Sequence, residues 1–169
     1  MDLIIDRLRR VLTLETPVFS EIAHDDKATG QAAAVAAIAS IIGSLLGEGN
    51  LAGRVISSAI GGIIGMFIWS GIVFLSTKLF GGTASYIELV RPIGYSAAPF
   101  ALGLIPFLGF FGMIYSIIIQ IRTARTVAGL SDGASIAAVL LPFAIIVIPI
   151  VLLLLALGVA LAGLGLAMN

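Results

Sequence analysis

Cysteine is absent, histidine occurs once, and only 11% of the 169 residues are charged. The missing cysteine excludes disulfides, thiolate catalysis, iron–sulfur ligation and Cys-based zinc sites. A single histidine leaves no His-rich metal cage. The scarcity of charge stands beside 60% hydrophobic residues and a mean hydropathy of +1.19. A soluble domain carries about 25% charged residues, and disorder needs low hydrophobicity, so both classes are excluded. Nine Lys and Arg balance nine Asp and Glu, so the basic footprint of a nucleic-acid-binding protein is missing. The remaining class is an all-α integral membrane protein.

The few charges are clustered, and the gaps between them have the length of spans. Residues 28–47 hold 20 consecutive uncharged positions, 55–77 hold 23, 92–121 hold 30 and 133–169 hold 37. A spanning helix needs about 20 apolar residues, so the first two gaps fit one helix each. The third is punctuated by Pro99, Gly103, Pro106, Gly109 and Gly112, which is turn chemistry. A hairpin there gives arms at 84–105 and 107–124, with Glu88 and Arg91 paired three apart and snorkelling at the interface. With the hairpin, eight cations face the cytoplasm and only Arg54 lies outside; a single span would give six against three. The positive-inside rule favours the hairpin. The last gap lacks a polar turn and reads as one span, about 134–157, with an apolar tail; a sixth span is the alternative. The expectation is five transmembrane helices, with the N-terminus cytoplasmic and the C-terminus outside.

A cytoplasmic segment, residues 1–27, precedes the transmembrane domain of residues 28–169. Its start interleaves charges with apolar residues and lacks the continuous apolar stretch of a cleaved signal peptide. Ile4, Ile5, Leu8, Val11 and Leu12 fall on one helical face, with Asp6, Arg7, Arg9 and Arg10 opposite. Such a helix suits a membrane surface with its arginines at anionic headgroups, or equally a dock on the protein's own cytoplasmic loops. Thr16-Pro17 is a helix-start signal. Arg7, Arg9, Arg10, Glu21, Asp25, Asp26, Arg122 and Arg125 form the candidate cytoplasmic partner face.

Chemistry has few footholds. Glu21, His24 and Asp25 would share a face of one helical turn, a conceivable metal or proton site, yet Asp25, Asp26 or Thr29 also suits the N-cap of an entering helix. One histidine with no second nitrogen ligand is a weak metal signal, so capping and solvation is the expectation, with no metal and no cofactor. No ionisable residue remains at mid-bilayer, which stands against proton-coupled transport and acid–base catalysis. Small residues fill the spans instead. Ala36 and Ser40, then Ser57, Gly61 and Gly65 with Ser58 and Gly62 beside them, then Gly112 and Ser116, recur at helical spacing and let backbones approach closely. The partner helix can lie in the same chain or in another copy, making a homo-oligomer. The polar residues Tyr95, Ser96, Pro99, Tyr115 and Gln120 mark either interhelical hydrogen bonding or a polar seam between the third and fourth spans.

Gly94-Tyr95-Ser96-Ala97-Ala98-Pro99, a Pro/Gly hairpin, then Tyr115-Ser116 leading to Gln120-Ile121-Arg122, resembles the membrane domain of the Yip family, the Ypt/Rab-interacting proteins and their prokaryotic relatives. Gly129-Leu130-Ser131-Asp132-Gly133-Ala134 is similar to that family's loop before the last helix. Phe19-Ser20-Glu21-Ile22 and Ala28-Thr29-Gly30-Gln31-Ala32 are similar to prokaryotic members. The resemblance implies five helices and a cytoplasmic N-terminus. Eukaryotic members engage small GTPases through a longer cytoplasmic region with an Asp-Leu-Tyr-Gly-Pro motif; here the segment reads Glu15-Thr16-Pro17-Val18-Phe19, which stands against GTPase binding. The combined expectation is a non-enzymatic, multi-pass protein of a prokaryotic cell membrane. It organises membrane or recruits partner proteins, with lipids as its first partners. The alternative is a small transporter, channel or lipid-handling protein using the polar seam.

Overall fold

A computed structural model describes residues 2–105 and 107–167, and every regular element among them is helical. Two short helices come first, α1 (Asp2–Leu12) and α2 (Thr16–His24). The chain leaves α1 through Leu14 at φ +58, a left-handed turn that closes the helix end with Leu14 N–H on the Val11 carbonyl at 3.0 Å. Helix α2 starts at Thr16 with Pro17 in its first turn, where a missing N–H costs nothing. Its N-cap is Glu15, with no side-chain cap bond, so Thr16 is the first helical residue and not the cap.

Five longer segments follow. Helix α3 (Ala28–Ser44) ends three residues before the expected 47, because Leu45 N–H turns back onto the Ile42 carbonyl and the chain tightens into Gly47. Helix α4 (Leu51–Leu79) exceeds the expected 55–77 at both ends. The Asn50 side chain caps it by accepting the Gly53 N–H at 3.0 Å. Helix α5 (Tyr86–Tyr95) opens with a full capping box: Ser85 Oγ accepts the Glu88 N–H and Glu88 Oε2 accepts the Ser85 N–H.

The arm expected at 84–105 is not one helix. Pro92 supplies no N–H to the Glu88 carbonyl, and Pro99 disfavours α geometry at Ala98. The α-helix therefore stops at Tyr95, and Ala98–Leu104 continues as a 3₁₀ helix. Helix α6 (Leu108–Thr126) returns alongside it. Helix α7 (Asp132–Ala167) runs unbroken through Pro142 and Pro149. Pro106, in the expected hairpin turn, and Asn169, whose side of the membrane the five-span topology specifies, lie outside the described residues.

Contacts fix the directions of travel. Ser58 Oγ donates to Ser44 Oγ, while Gly62 sits against Ser40 and Ala36, so α3 and α4 are antiparallel. Ser116 lies against Ser96 and Gly112 against Pro99, so α6 reverses α5 and the 3₁₀ helix. The connectors at the charged end touch: Thr83 N–H donates to the Ala128 carbonyl at 3.0 Å, tying the α4–α5 loop to the α6–α7 loop. Gly81 (φ +84) and Gly129 (φ +69) take the left-handed conformation that ends α4 and α6 there. Two helices are long and apolar enough to cross a membrane, α4 and the Asp132–Ala156 part of α7; α3 is a shorter apolar helix.

Candidate functional site

The charged end is built by two short helices facing each other. Three-residue spacing puts Arg7 and Arg10 on one face of α1, while Glu21 lies in the last turn of α2 and Asp25 is its C-cap residue. Arg7 is 4% exposed and forks: Nε donates to Glu21 Oε1 at 3.0 Å, while Nη1 donates to Asp25 Oδ2 at 2.7 Å and to Gln31 Oε1 at 3.0 Å. Arg10 takes the other oxygen of Glu21 at 2.8 Å and reaches Glu15 at 3.3 Å. A planar guanidinium suits this sharing, because its donors match carboxylate geometry two at a time. Hydrogen bonds from Arg10, then Arg7, hold Glu21 below the usual carboxylate range. Asp25 is held low by Arg7 first and by the Lys27 backbone N–H second.

The amphipathic α1 therefore docks on the protein's own helices. Val11 is fully buried among Val18, Phe19 and Ile22, and Tyr115 O–H donates to the Leu12 carbonyl. Of the arginines expected to face lipid, only Arg9 points outward without an ion pair among the described residues.

The expected capping role of the acidic cluster is also corrected. Lys27 stands at the α3 N-cap with no side-chain cap bond. Asp25 accepts Arg7 through Oδ2 and the Lys27 N–H through Oδ1 at 3.0 Å, a bond to the cap residue's own N–H and not to the first turn of α3, and Thr29 Oγ1 accepts Arg91 Nε at 3.0 Å. Asp26 accepts Arg91 Nη2. Nor does Arg91 pair with Glu88 and snorkel. It is 7% exposed and donates through Nη1 to the Ala23 carbonyl at 2.6 Å, clamping the C-terminal end of α2 onto α5. Glu88 is consumed by its capping box, and it lies 3.7 Å from the exposed His24 Nε2. Glu21, His24 and Asp25 do not converge, and among the described residues no cluster of three His, Asp or Glu could hold a metal ion. Arg125 pairs with Asp132 at 2.9 Å across the α6–α7 loop, while Arg122 makes no ion pair among the described residues.

The five seam residues divide among three structures. Tyr95 joins the charged end, its O–H donating to the same Gln31 Oε1 that Arg7 uses, at 2.7 Å. Tyr115 joins the α1 dock. Ser96 and Gln120 belong to a buried chain: Trp69 Nε1 donates to Gln120 Oε1 at 2.7 Å, Gln120 Nε2 to Ser116 Oγ at 3.3 Å, and Ser116 Oγ to the Ser96 carbonyl at 2.6 Å. The indole can only donate, so it fixes which way the Gln120 amide points. Pro99 sits where α6 closes on the 3₁₀ helix.

The small residues divide as well. A Cβ on Gly112 would lie 2.3 Å from the Pro99 carbonyl oxygen, and one on Gly62 would lie 2.3 Å from Ser40 Oγ and 2.8 Å from the Ala36 carbonyl oxygen. These are the close approaches. Gly61 and Gly65 have nothing within 4 Å, and Ser57 is exposed with its hydroxyl on the Arg54 carbonyl. The α4 stripe that meets α3 is thus Ser58 and Gly62, one position along from Ser57, Gly61 and Gly65.

Beside this chain lies a cleft of about 570 Å³ between α3, α4, the 3₁₀ helix, α6 and α7, with Trp69, Gln120 and Phe143 lining it and Gly61, Gly65 and Phe100 among its exposed members. Gln31 and Phe143 were the residues that sequence reasoning missed. Gln31 had a signal: it is the one amide in the Ala-rich first turns of α3. Phe143, which packs on Trp69 with ring centroids 4.6 Å apart, had none.

A family model described as the Yip1 domain matches residues 11–167. No curated protein and no solved structure matches the chain.

Proposed function

Because the chain belongs to the Yip1 domain family, and is accordingly a membrane protein, we propose that it is a five-pass, non-enzymatic protein of a prokaryotic cell membrane that organises membrane or recruits partners at its charged end. Segment lengths support five crossings. At about 1.5 Å per α residue and about 2.0 Å per 3₁₀ residue, α3, α5 plus the 3₁₀ helix, and α6 are each about 26–29 Å long, against about 30 Å of hydrocarbon. The two connectors at the charged end lie in contact, as alternating passes require.

The observation that carries the functional reading is the assembled end itself. Three arginines are locked into carboxylates and carbonyls, which holds a rigid platform from which Arg9, Lys27 and Arg122 are free of ion pairs among the described residues. A rigid basic platform suits anionic headgroups and acidic partner segments. The test replaces these three by Glu, leaving the clamps intact. The expected result is a changed set of co-purifying proteins or anionic lipids with unchanged thermal stability. An identical set would remove the platform's recruiting role. Single-Cys labelling at Asn50 and Ser131 in this cysteine-free chain tests the topology, and labelling of both from one side would refute it.

A further inference from the structure

We propose that the cleft beside Trp69 is a lateral seat for one acyl chain of a membrane lipid. Its lining includes the middle of α4 (Gly61 to Trp69) and Phe143 of α7, the two helices long enough to cross the bilayer. The opening is therefore at hydrocarbon depth, and it is continuous with the lipid-facing surface: Ile60, Ile64 and Ile68 on α4 and Ile145 on α7 are each more than half exposed. No charged residue lines it. Water has few partners there: the polar hydrogens of Trp69, Ser96 and Ser58 are already given inside the chain, which leaves the Ser40 hydroxyl and the second N–H of the Gln120 amide. An empty cleft would forfeit dispersion contacts along every wall. Its 570 Å³ lies within the range of formed ligand sites. The glycines are what keep it open, since Gly61 and Gly65 carry no Cβ and face no neighbour within 4 Å.

This inference needs only that α4 and α7 lie in the bilayer, and it stands whether or not the charged end recruits partners. The chain has one tryptophan, and that residue lines the site. Full-length protein is reconstituted in phosphatidylcholine vesicles with and without mid-chain bromination, which quenches an indole on contact. The expected result is strong quenching of Trp69, most of which is lost in Gly61→Leu and in Gly65→Leu, while both variants keep wild-type helicity. Ile64→Trp in a Trp69→Phe background reports the lipid-facing side of α4 and should be quenched in every case. Quenching there but not at Trp69, or quenching at Trp69 untouched by either leucine, overturns the seat. Absence of quenching at both positions would instead overturn the placement of α4 in the bilayer. A Gly61→Cys variant that forms disulfide-linked dimers and shields Trp69 from bromine would place a second copy in the cleft and likewise overturn the lipid.

Discussion

Replacing Arg91 by Met separates a buried hydrogen-bonding clamp from a surface ion pair, two roles that one side chain combines. The perturbation removes three bonds of unequal worth. Asp26 is 95% exposed at its side chain, so its pairing with Arg91 is a solvent-screened contact worth about 0–1 kcal/mol. The Ala23 carbonyl is different. It lies in the last turn of α2, where carbonyls have no intrahelical donor, Ala23 is fully buried, and Arg91 Nη1 reaches it at 2.6 Å. A charged donor to such a group contributes about 1.5–3 kcal/mol, and its loss leaves an unpaired buried acceptor. With the Thr29 contact at 3.0 Å, Arg91→Met should cost about 2–4 kcal/mol, most of it from the carbonyl. Asp26→Asn should cost at most about 1 kcal/mol. Met keeps length and apolar volume, so the packing of α5 against α2 changes little. The assay is reversible unfolding in mixed detergent followed by Trp69 fluorescence. Equal destabilisation by the two variants, or an Arg91→Met variant as stable as wild type, would refute the clamp.

Three further outcomes test the packing and the electrostatics. Gly62→Ala should destabilise by about 1–3 kcal/mol, because its Cβ meets the Ala36 carbonyl; Gly61→Ala should be neutral or stabilising by up to about 1 kcal/mol through helix propensity. The same unfolding assay compares them, and equal costs would restore the other stripe. Glu21 and Asp25 are lowered by Arg10 and Arg7, so their contribution is complete above the ordinary carboxylate pKa of about 4 and is lost as pH falls through their depressed folded values. Protease sensitivity at Thr13–Glu15 should therefore stay flat from pH 7 to about 5 and rise only below about 4; a rise already near pH 6 would refute the assignment to these two carboxylates. Tyr115→Phe should free the end of α1 at a cost of about 1 kcal/mol, read as faster amide exchange in α1 with α3 and α4 unchanged.

How much of this was legible in the sequence depends on the range over which each feature is encoded. Local signals were readable. The charge-free runs located α3 and α4 to within a few residues, while α7 runs ten residues past the expected 157, and the small-residue periods marked close helix packing without naming the partner. Even so, the stripes Ser57/Gly61/Gly65 and Ser58/Gly62 share one period and lie about 100° apart around the helix. Only the position of α3 decides between them. The break of the third segment was readable as Pro and Gly in the wrong place for a helix, but not its form, since Pro92 is tolerated inside α5 while Pro99 shifts the chain into 3₁₀ geometry. The clamps were not readable at all. Arg7 meets residues 14 to 24 positions away and Arg91 meets residues 62 to 68 positions away, and no local period records such pairings. At Glu88 the sequence reading took Arg91, three residues on, as the partner, and the structure gives it the Ser85 N–H, three residues back. The cap wins because it satisfies an orphan backbone donor that water would otherwise have to reach.

That redistribution of partners changes what the segregation of positive charge means for the membrane. The sequence placed eight cations on the cytoplasmic side, where all of them could reach headgroups if none had a partner in the chain. In the structure Arg7, Arg10, Arg91 and Arg125 are engaged by carboxylates, and Lys78 donates to the Gly82 carbonyl while lying over the Phe74 ring. Each basic residue held at an anionic surface contributes about 1 kcal/mol. The three cations left without ion pairs then supply about 3 kcal/mol of lipid attraction where the full count implied about 8. On the five-pass topology proposed above, the paired arginines would still orient the chain, since they would stay on one side as it inserts. Their larger effect is internal: Arg7 and Arg10 hold α1 to α2, and Arg91 holds α2 to α5. For α1 to leave and lie on the bilayer, Arg7 would have to abandon Glu21, Asp25 and Gln31 together, exposing Val11 as it went. Anionic lipid can offer it one phosphate at a time. The helix that reads most like a membrane anchor is therefore held as part of the folded domain, and raising salt from low to physiological strength should leave α1 docked while weakening the enrichment of anionic lipid around the reconstituted protein only through Arg9, Lys27 and Arg122.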